Sequence, residues 1–252
     1  MDMYIEQGSE GPDLLLMLHG MGATGAVWSP MCAEAGARWS GRWLVPDLPG
    51  HGRSDRQDSY AIGQYAASVA RAVLPHIRPE GRLVVLGHSL GGVIALALAT
   101  GWFGVAPHRV FAAGIKLAWS DDELRRMEAL ALQPTKKFST EEEAWDRYLK
   151  VCGLAGIADA AAAVAARGIA RDNDGWRLAM DPRAHAVGKP PVPELAALAR
   201  CPVHLARGQH DALVTTAQTR EIDPDARELG PHGHNVMVEA PAQVWDWVAS
   251  LG

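Results

Sequence analysis

Ser89 stands in a setting that suits a nucleophile. It lies in Gly87-His88-Ser89-Leu90-Gly91-Gly92, after the apolar run Leu83 to Leu86 and before the Ala/Leu-rich run Val93 to Leu98. The first run reads as a strand buried on both faces, as in the middle of a parallel sheet, and the second as a helix. Between them the chain must turn sharply. Gly87 and Gly91 flank Ser89 where a bulky side chain would collide with that turn, so the hydroxyl is presented on a strained strand-to-helix corner. A serine hydroxyl attacks a carbonyl only when a base takes its proton, so a histidine must come within hydrogen-bond reach. The chain offers ten histidines. His232 and His234, together with His210 and Asp211, bring metal-ligand types in pairs, but no third cluster completes a set and no metal is expected.

The bulk of the chain limits what this chemistry can serve. With 252 residues, 48% hydrophobic and 21% charged, the protein reads as an ordinary soluble globular chain. A net charge of −5, with no Lys/Arg run longer than a pair, disfavours nucleic acid as a partner. Cys32, Cys152 and Cys201 follow no metal or redox spacing and read as reduced, packed thiols. The first residues lack the basic and apolar regions of a signal peptide, and the longest apolar window is broken by His88, Ser89 and glycines. A cytoplasmic protein without membrane contact is the expectation.

The elements that must position Ser89 alternate regularly. Strands are expected at residues 3 to 7, Leu14 to Leu18, Trp43 to Val45, Leu83 to His88, Arg109 to Ala113, Val203 to Ala206 and Ala226 to Leu229. Helices are expected at Trp28 to Arg38, Ile62 to Ile77, from Ser89 onward, Thr216 to Glu221 and Pro241 to Leu251. Such alternation predicts an α/β fold, a mostly parallel sheet with helices on both faces. It breaks between about Ser120 and Arg200. There, helical stretches (Asp121 to Leu132, Thr140 to Val151, Ile157 to Ala170) and a Pro-rich exit carry no strand pattern. The expected organisation is a core of residues 1-119 and 201-252 with an inserted helical cap at 120-200.

Five ordered motifs now support a resemblance. His19-Gly-Met-Gly follows one strand, and Asp47-Leu-Pro-Gly-His-Gly-Arg-Ser-Asp the next. Then come the Ser89 turn, Gly208-Gln-His-Asp and Gly233-His-Asn-Val-Met-Val-Glu-Ala-Pro. Over the whole chain this resembles the serine-nucleophile, esterase-like branch of the α/β-hydrolase fold family, least so in the cap. The resemblance implies the order nucleophile, acid, histidine: Ser89 as nucleophile, Asp211 as acid and His234 as base. His232 lies close by but lacks the Gly-His context. Asp121 and Asp122 stand where some members take the acid, yet they read as helix-start charges, and Asp223 and Asp225 come too late. Backbone N–H groups of Met21 and Leu90 are the expected oxyanion donors. His19 is expected to fix its loop, Asp47 and Arg53 the following turn, and His51 to belong to that turn. His88 is the variable position of the motif, and His76, His108 and His185 read as surface residues.

The resemblance implies a serine hydrolase that cleaves a carboxylic ester or related acyl bond of a small molecule through an acyl-enzyme, with no cofactor. Lactonase, thioesterase and carbon–carbon hydrolase activities share the same triad. A small-ligand receptor on the same fold is the alternative from another class, and turnover separates the two. Candidate pocket residues are Gly20, Trp28, Lys116 and Trp119, with Trp102, Trp145 and Trp176 further aromatic candidates. Lys116 could meet an acidic substrate group or simply be solvated. Fold does not name the acyl group.

Overall fold

The computed structural model describes residues 2–157 and 167–250. Seven strands form one sheet: β1 (Ile5–Gly8), β2 (Leu14–Leu18), β3 (Arg42–Pro46), β4 (Leu83–His88), β5 (Arg109–Ala113), β8 (Val203–Gly208) and β9 (Arg227–Leu229). Their order is β1-β3-β2-β4-β5-β8-β9, parallel except for β1, which pairs antiparallel with β3 at the edge. The mostly parallel α/β architecture expected from the sequence is therefore present, with β4 in the centre.

The two-residue period of the strands sorts their side chains between two cores. Leu14, Leu16 and Leu18 of β2 pack on one face with Val85 and Val110, beneath helices α2 (Ile62–Val73) and α3 (Leu90–Ala99). Leu15 and Met17 point the other way, to Val84, Leu86 and Phe111, where α1 (Ser29–Arg38) and the last helix, α9 (Pro241–Ala249), cover the sheet. All five residues of β2 are fully buried. Each such leucine contributes about 1.5–3 kcal/mol of hydrophobic stabilisation, so this strand pins the register of its neighbours. The helix expected from Trp28 begins as a 3-10 turn at Gly25–Trp28, because Thr24 caps it and Pro30 suits the first turn of α1.

Between β5 and β8 the chain runs through α4 (Asp121–Ala131), α5 (Glu141–Val151), a hairpin of β6 (Ile169–Asp172) and β7 (Gly175–Leu178), and α6 (Val192–Ala197); α7 (Thr216–Arg220) follows β8 and α8 (Val236–Glu239) follows β9. The hairpin corrects the expectation of a segment without strands. Ile169 and Ala170, expected at the end of a helix, are in β6 instead. Residues 158–166 of that expected helix lie outside the described residues. Loop contacts tie the segment to the sheet: Gly52 N–H donates to Ala179 O, Asp181 N–H to Gly50 O, and Tyr60 Oη to the Asp181 carboxylate. No helix among the described residues is long and apolar enough to cross a membrane.

Candidate active site

The turn at Ser89 is as tight as its glycines suggest. Ser89 has φ 51° and ψ −116°, one of two non-glycine residues with positive φ among those described. A conformation of this kind costs on the order of 1–3 kcal/mol, and the surroundings hold it in place. The Ser89 N–H donates to Ala113 O of β5 at 2.8 Å, and its carbonyl accepts from the N–H groups of Gly92 and Val93. A Cβ on Gly91 would lie 2.1 Å from Leu18 O, and one on Gly87 would lie 2.3 Å from Gly91 O. Only glycine lets α3 start this close to β2 and β4.

Asp211 and His234 converge on the same place from further along the chain. His234 Nδ1 and Asp211 Oδ2 are 2.9 Å apart, with the aspartate side chain fully buried. Asp211 Oδ1 accepts from Leu213 N–H, so the carboxylate is held on both oxygens. Gly114 passes behind the pair at φ 65°, where a Cβ would meet His234 at 3.1 Å and Asp211 at 3.3 Å. Ser89, His234 and Leu90 line one cavity of about 360 Å³, together with Gly20 and Met21. No hydrogen bond joins Ser89 Oγ to His234 among the described residues; such bonds are often long before substrate tightens them. The ring of His232 instead faces Gln243 of α9 at 3.1 Å, away from the cavity. Asp121 and Asp122 open α4 beside the capping residue Ser120, and Asp223 accepts from Leu205 N–H.

Met21 and Leu90 carry the expected anion donors. Neither backbone N–H has an acceptor among the described residues, and Leu90 is the first residue of α3, whose dipole favours negative charge there. The loop bearing Met21 is held by two buried histidines. His19 donates from Nδ1 to Gly20 O at 2.8 Å and accepts Leu48 N–H at Nε2, also at 2.8 Å. His51 donates to Pro49 O and accepts Gly22 N–H, and it meets the His19 ring edge-on at 5.3 Å. Burial pushes His19 down to about 4 and His51 down to about 3, so both stay neutral and keep these tautomers. Asp47 locks the next turn, accepting Gly25 N–H and Arg53 N–H.

Several residues around the site were missed in the sequence. His88, read as merely variable, donates from Nε2 to the His234 carbonyl at 2.9 Å and packs against its ring at 4.5 Å. Burial holds it well below the ordinary histidine range, so it presents no charge beside His234. Arg207 is a buried arginine in β8 whose guanidinium binds the carbonyls of Gln209, Asp211 and Val214, shaping the loop that carries Asp211. A charged residue in an apolar strand was its one available clue. Asn235 donates to Cys152 O and Gly153 O, fastening the histidine loop to the end of α5.

The pocket expectations divide. Gly20, Lys116 and Trp119 line the cavity. Trp28 does not: it is fully buried in the core beneath β2 and β3, because its 3-10 turn faces the sheet. Trp102 is exposed, Trp145 stacks on Tyr148, and Trp176 lies in β7; none lines this cavity. Lys116 is not solvated, since its ammonium pairs with Glu123 and lies 4.8 Å from the Trp119 ring centroid. His185, read as a surface residue, forms part of the cavity wall.

A family model described as "Alpha/beta hydrolase family" matches residues 15–247 of the chain. A magnesium-chelatase 30 kDa subunit of Rhodobacter capsulatus is 38% identical over 97 residues, 38% of this chain and 33% of that protein. A pimeloyl-[acyl-carrier protein] methyl ester esterase of Aeromonas salmonicida is 38% identical over 101 residues, 39% of this chain and 36% of that protein. These matches span about a third of each curated relative's length. Among solved structures, the thioesterase domain from the curacin biosynthetic pathway superimposes with a TM-score of 0.77 at 19% identity. That match covers 99% of this chain and 100% of the other, a likeness of fold.

Proposed function

Because the chain belongs to the alpha/beta hydrolase family, we propose that it is a serine hydrolase that cleaves a carboxylic ester or related acyl bond through an acyl-enzyme. The observation that carries this reading is the 2.9 Å pairing of His234 Nδ1 with the buried Asp211 carboxylate, in the cavity that also exposes the strained Ser89.

With Nδ1 bound to the carboxylate, His234 keeps Nε2 free as a proton acceptor. Ser89 Oγ attacks the acyl carbon as its proton passes to Nε2, and Asp211 stabilises the imidazolium. The negative charge on the former carbonyl oxygen is met by the Met21 and Leu90 N–H groups, which typically removes a few kcal/mol of barrier. When the tetrahedral adduct collapses, the bond to the leaving group breaks and His234 protonates that group. Water, deprotonated by the same imidazole, then attacks the acyl-serine and releases the acid. Segment 120–200 acts in this reading as a cap, since Met127, Leu130, Val151 and His185 face the nucleophile across the cavity. A cytoplasmic location belongs to the same proposal, in keeping with three free cysteines.

The test is covalent labelling by a fluorophosphonate combined with a panel of esters, thioesters and lactones. One label per chain on Ser89, none in Ser89→Ala, and turnover of at least one acyl class are expected. A labelled serine with no turnover would favour a ligand receptor instead.

A further inference from the structure

A second cavity, of about 390 Å³, adjoins the one that holds Ser89. Leu130, Val151 and His185 line both, so the two chambers share a wall built by α4, α5 and the turn before α6. Lys116 and Lys150 line the Ser89 chamber, and the Lys116 ammonium is neutralised by Glu123. Lys136 and Arg147 line the second chamber, and no carboxylate-bearing residue does among those described. Both residues are exposed, and neither forms an ion pair among the described residues. Lys136 Nζ lies 5.1 Å from the centroid of the Phe138 ring, and Phe138 is bonded through both backbone groups to Trp176 of β7. Arg147 stands one turn before Val151 on α5, and its charge reaches the shared wall, opposing protonation of His185 in addition to the larger effect of burial. The rest of the chamber, including Leu178 and Met180, is mainly apolar. A mostly apolar chamber with two uncompensated cations is arranged for an apolar chain that ends in a negative charge.

We propose that the second chamber binds the anionic end, a carboxylate or phosphate, of an elongated substrate. Its acyl carbon lies at Ser89 and its apolar chain crosses the wall between Leu130 and Val151. The proposal rests on the serine-hydrolase reading above. Arg147 would supply a planar fork of N–H donors and Lys136 a point charge, both suited to carboxylate or phosphate oxygens.

The test compares kcat/KM for three aryl esters: octanoate, the half-ester of octanedioate and the half-ester of butanedioate. An octanoate carrying a terminal phosphate distinguishes the two anions. In the wild type the long anionic esters are expected to exceed octanoate by about tenfold, the scale of one charge-assisted hydrogen bond. In the double variant Arg147→Gln/Lys136→Gln that ratio should fall to about one. Each ratio is taken within one protein, so a general loss of activity cancels. A wild-type ratio of one, a ratio that survives in the double variant, or an equal preference for the short half-ester would overturn the proposal. If no ester is turned over, the hydrolase reading fails by itself. The chamber is then judged by calorimetry with octanedioate and octanoate: tighter octanedioate binding lost in the double variant supports it, and equal binding of the two overturns it.

Discussion

His88 ends the central strand and precedes Ser89, yet its partner is a carbonyl 146 residues away, on His234. A neighbour of that kind leaves no pattern in a sequence, because a backbone acceptor can belong to any residue. By contrast, Ser89 was legible from its flanking glycines, and Asp211 and His234 from the order of the family's motifs. Trp28 was misjudged for a related reason: residue type says that tryptophan is buried, not which side of the sheet receives it. His88 is expected to position the base. His88→Phe, which keeps the ring and loses the donor, should lower kcat by about five- to tenfold with KM little changed, the scale of one lost hydrogen bond. His88→Gln, whose amide can reach the same carbonyl, should recover most of that loss. Steady-state kinetics over a pH series reads both effects. Gly114 sets a steric limit behind the same pair. Gly114→Ala adds an atom 3.1 Å from His234 at a backbone φ of 65°, and kcat/KM should fall at least about tenfold while the protein still folds.

Elements were legible where their periodicity was strong. β2, β4 and β5 appear at their expected residues, because buried parallel strands are short apolar runs closed by glycines. The hairpin of β6 and β7 was missed because its four-residue strands are mixed in polarity and half exposed. Its turn, Asp172-Asn173-Asp174-Gly175, did carry the Asp-Gly signature of a hairpin. At this scale Gly91 is tightly constrained, since any side chain meets Leu18 O of β2. Gly91→Ala should destabilise by about 1–3 kcal/mol or more, seen as a lowered denaturant midpoint. The attachment of α4 should depend on pH. The bond from Lys116, aided by Ser120, pulls Glu123 down to about 2 from an ordinary 4.5. A lowered carboxylate stabilises above its unfolded value and loses that contribution as pH falls through the folded one. The protection of α4 amides against exchange, relative to the unfolded chain at the same pH, should therefore fall between pH 4.5 and about 2, and Glu123→Gln should remove that fall.

For the whole molecule, three buried neutral imidazoles, His19, His51 and His88, link the sheet edge to the site. Each unfolded histidine takes up a proton near 6.5, whereas in the folded chain uptake waits until lower pH. The unfolded state therefore binds more protons in between, and stability should fall as pH drops from about 6.5 to 5. Each group contributes on the order of 1–2 kcal/mol over that range. Denaturant melts across this window should show the loss, reduced in His51→Gln; a flat profile would mean that these rings are protonated in the fold. The two cores that bury them also hold the turn at Ser89, the loop at Met21 and the His234–Asp211 pair around one cavity. Whether that convergence performs acyl transfer is tested most directly by rapid acid quench during turnover of an activated aryl ester, followed by intact-mass and peptide analysis. A transient acyl adduct on Ser89, formed and discharged at the rate of turnover and absent from Ser89→Ala, is predicted. Turnover that persists in Ser89→Ala, or an adduct on another residue, would contradict it.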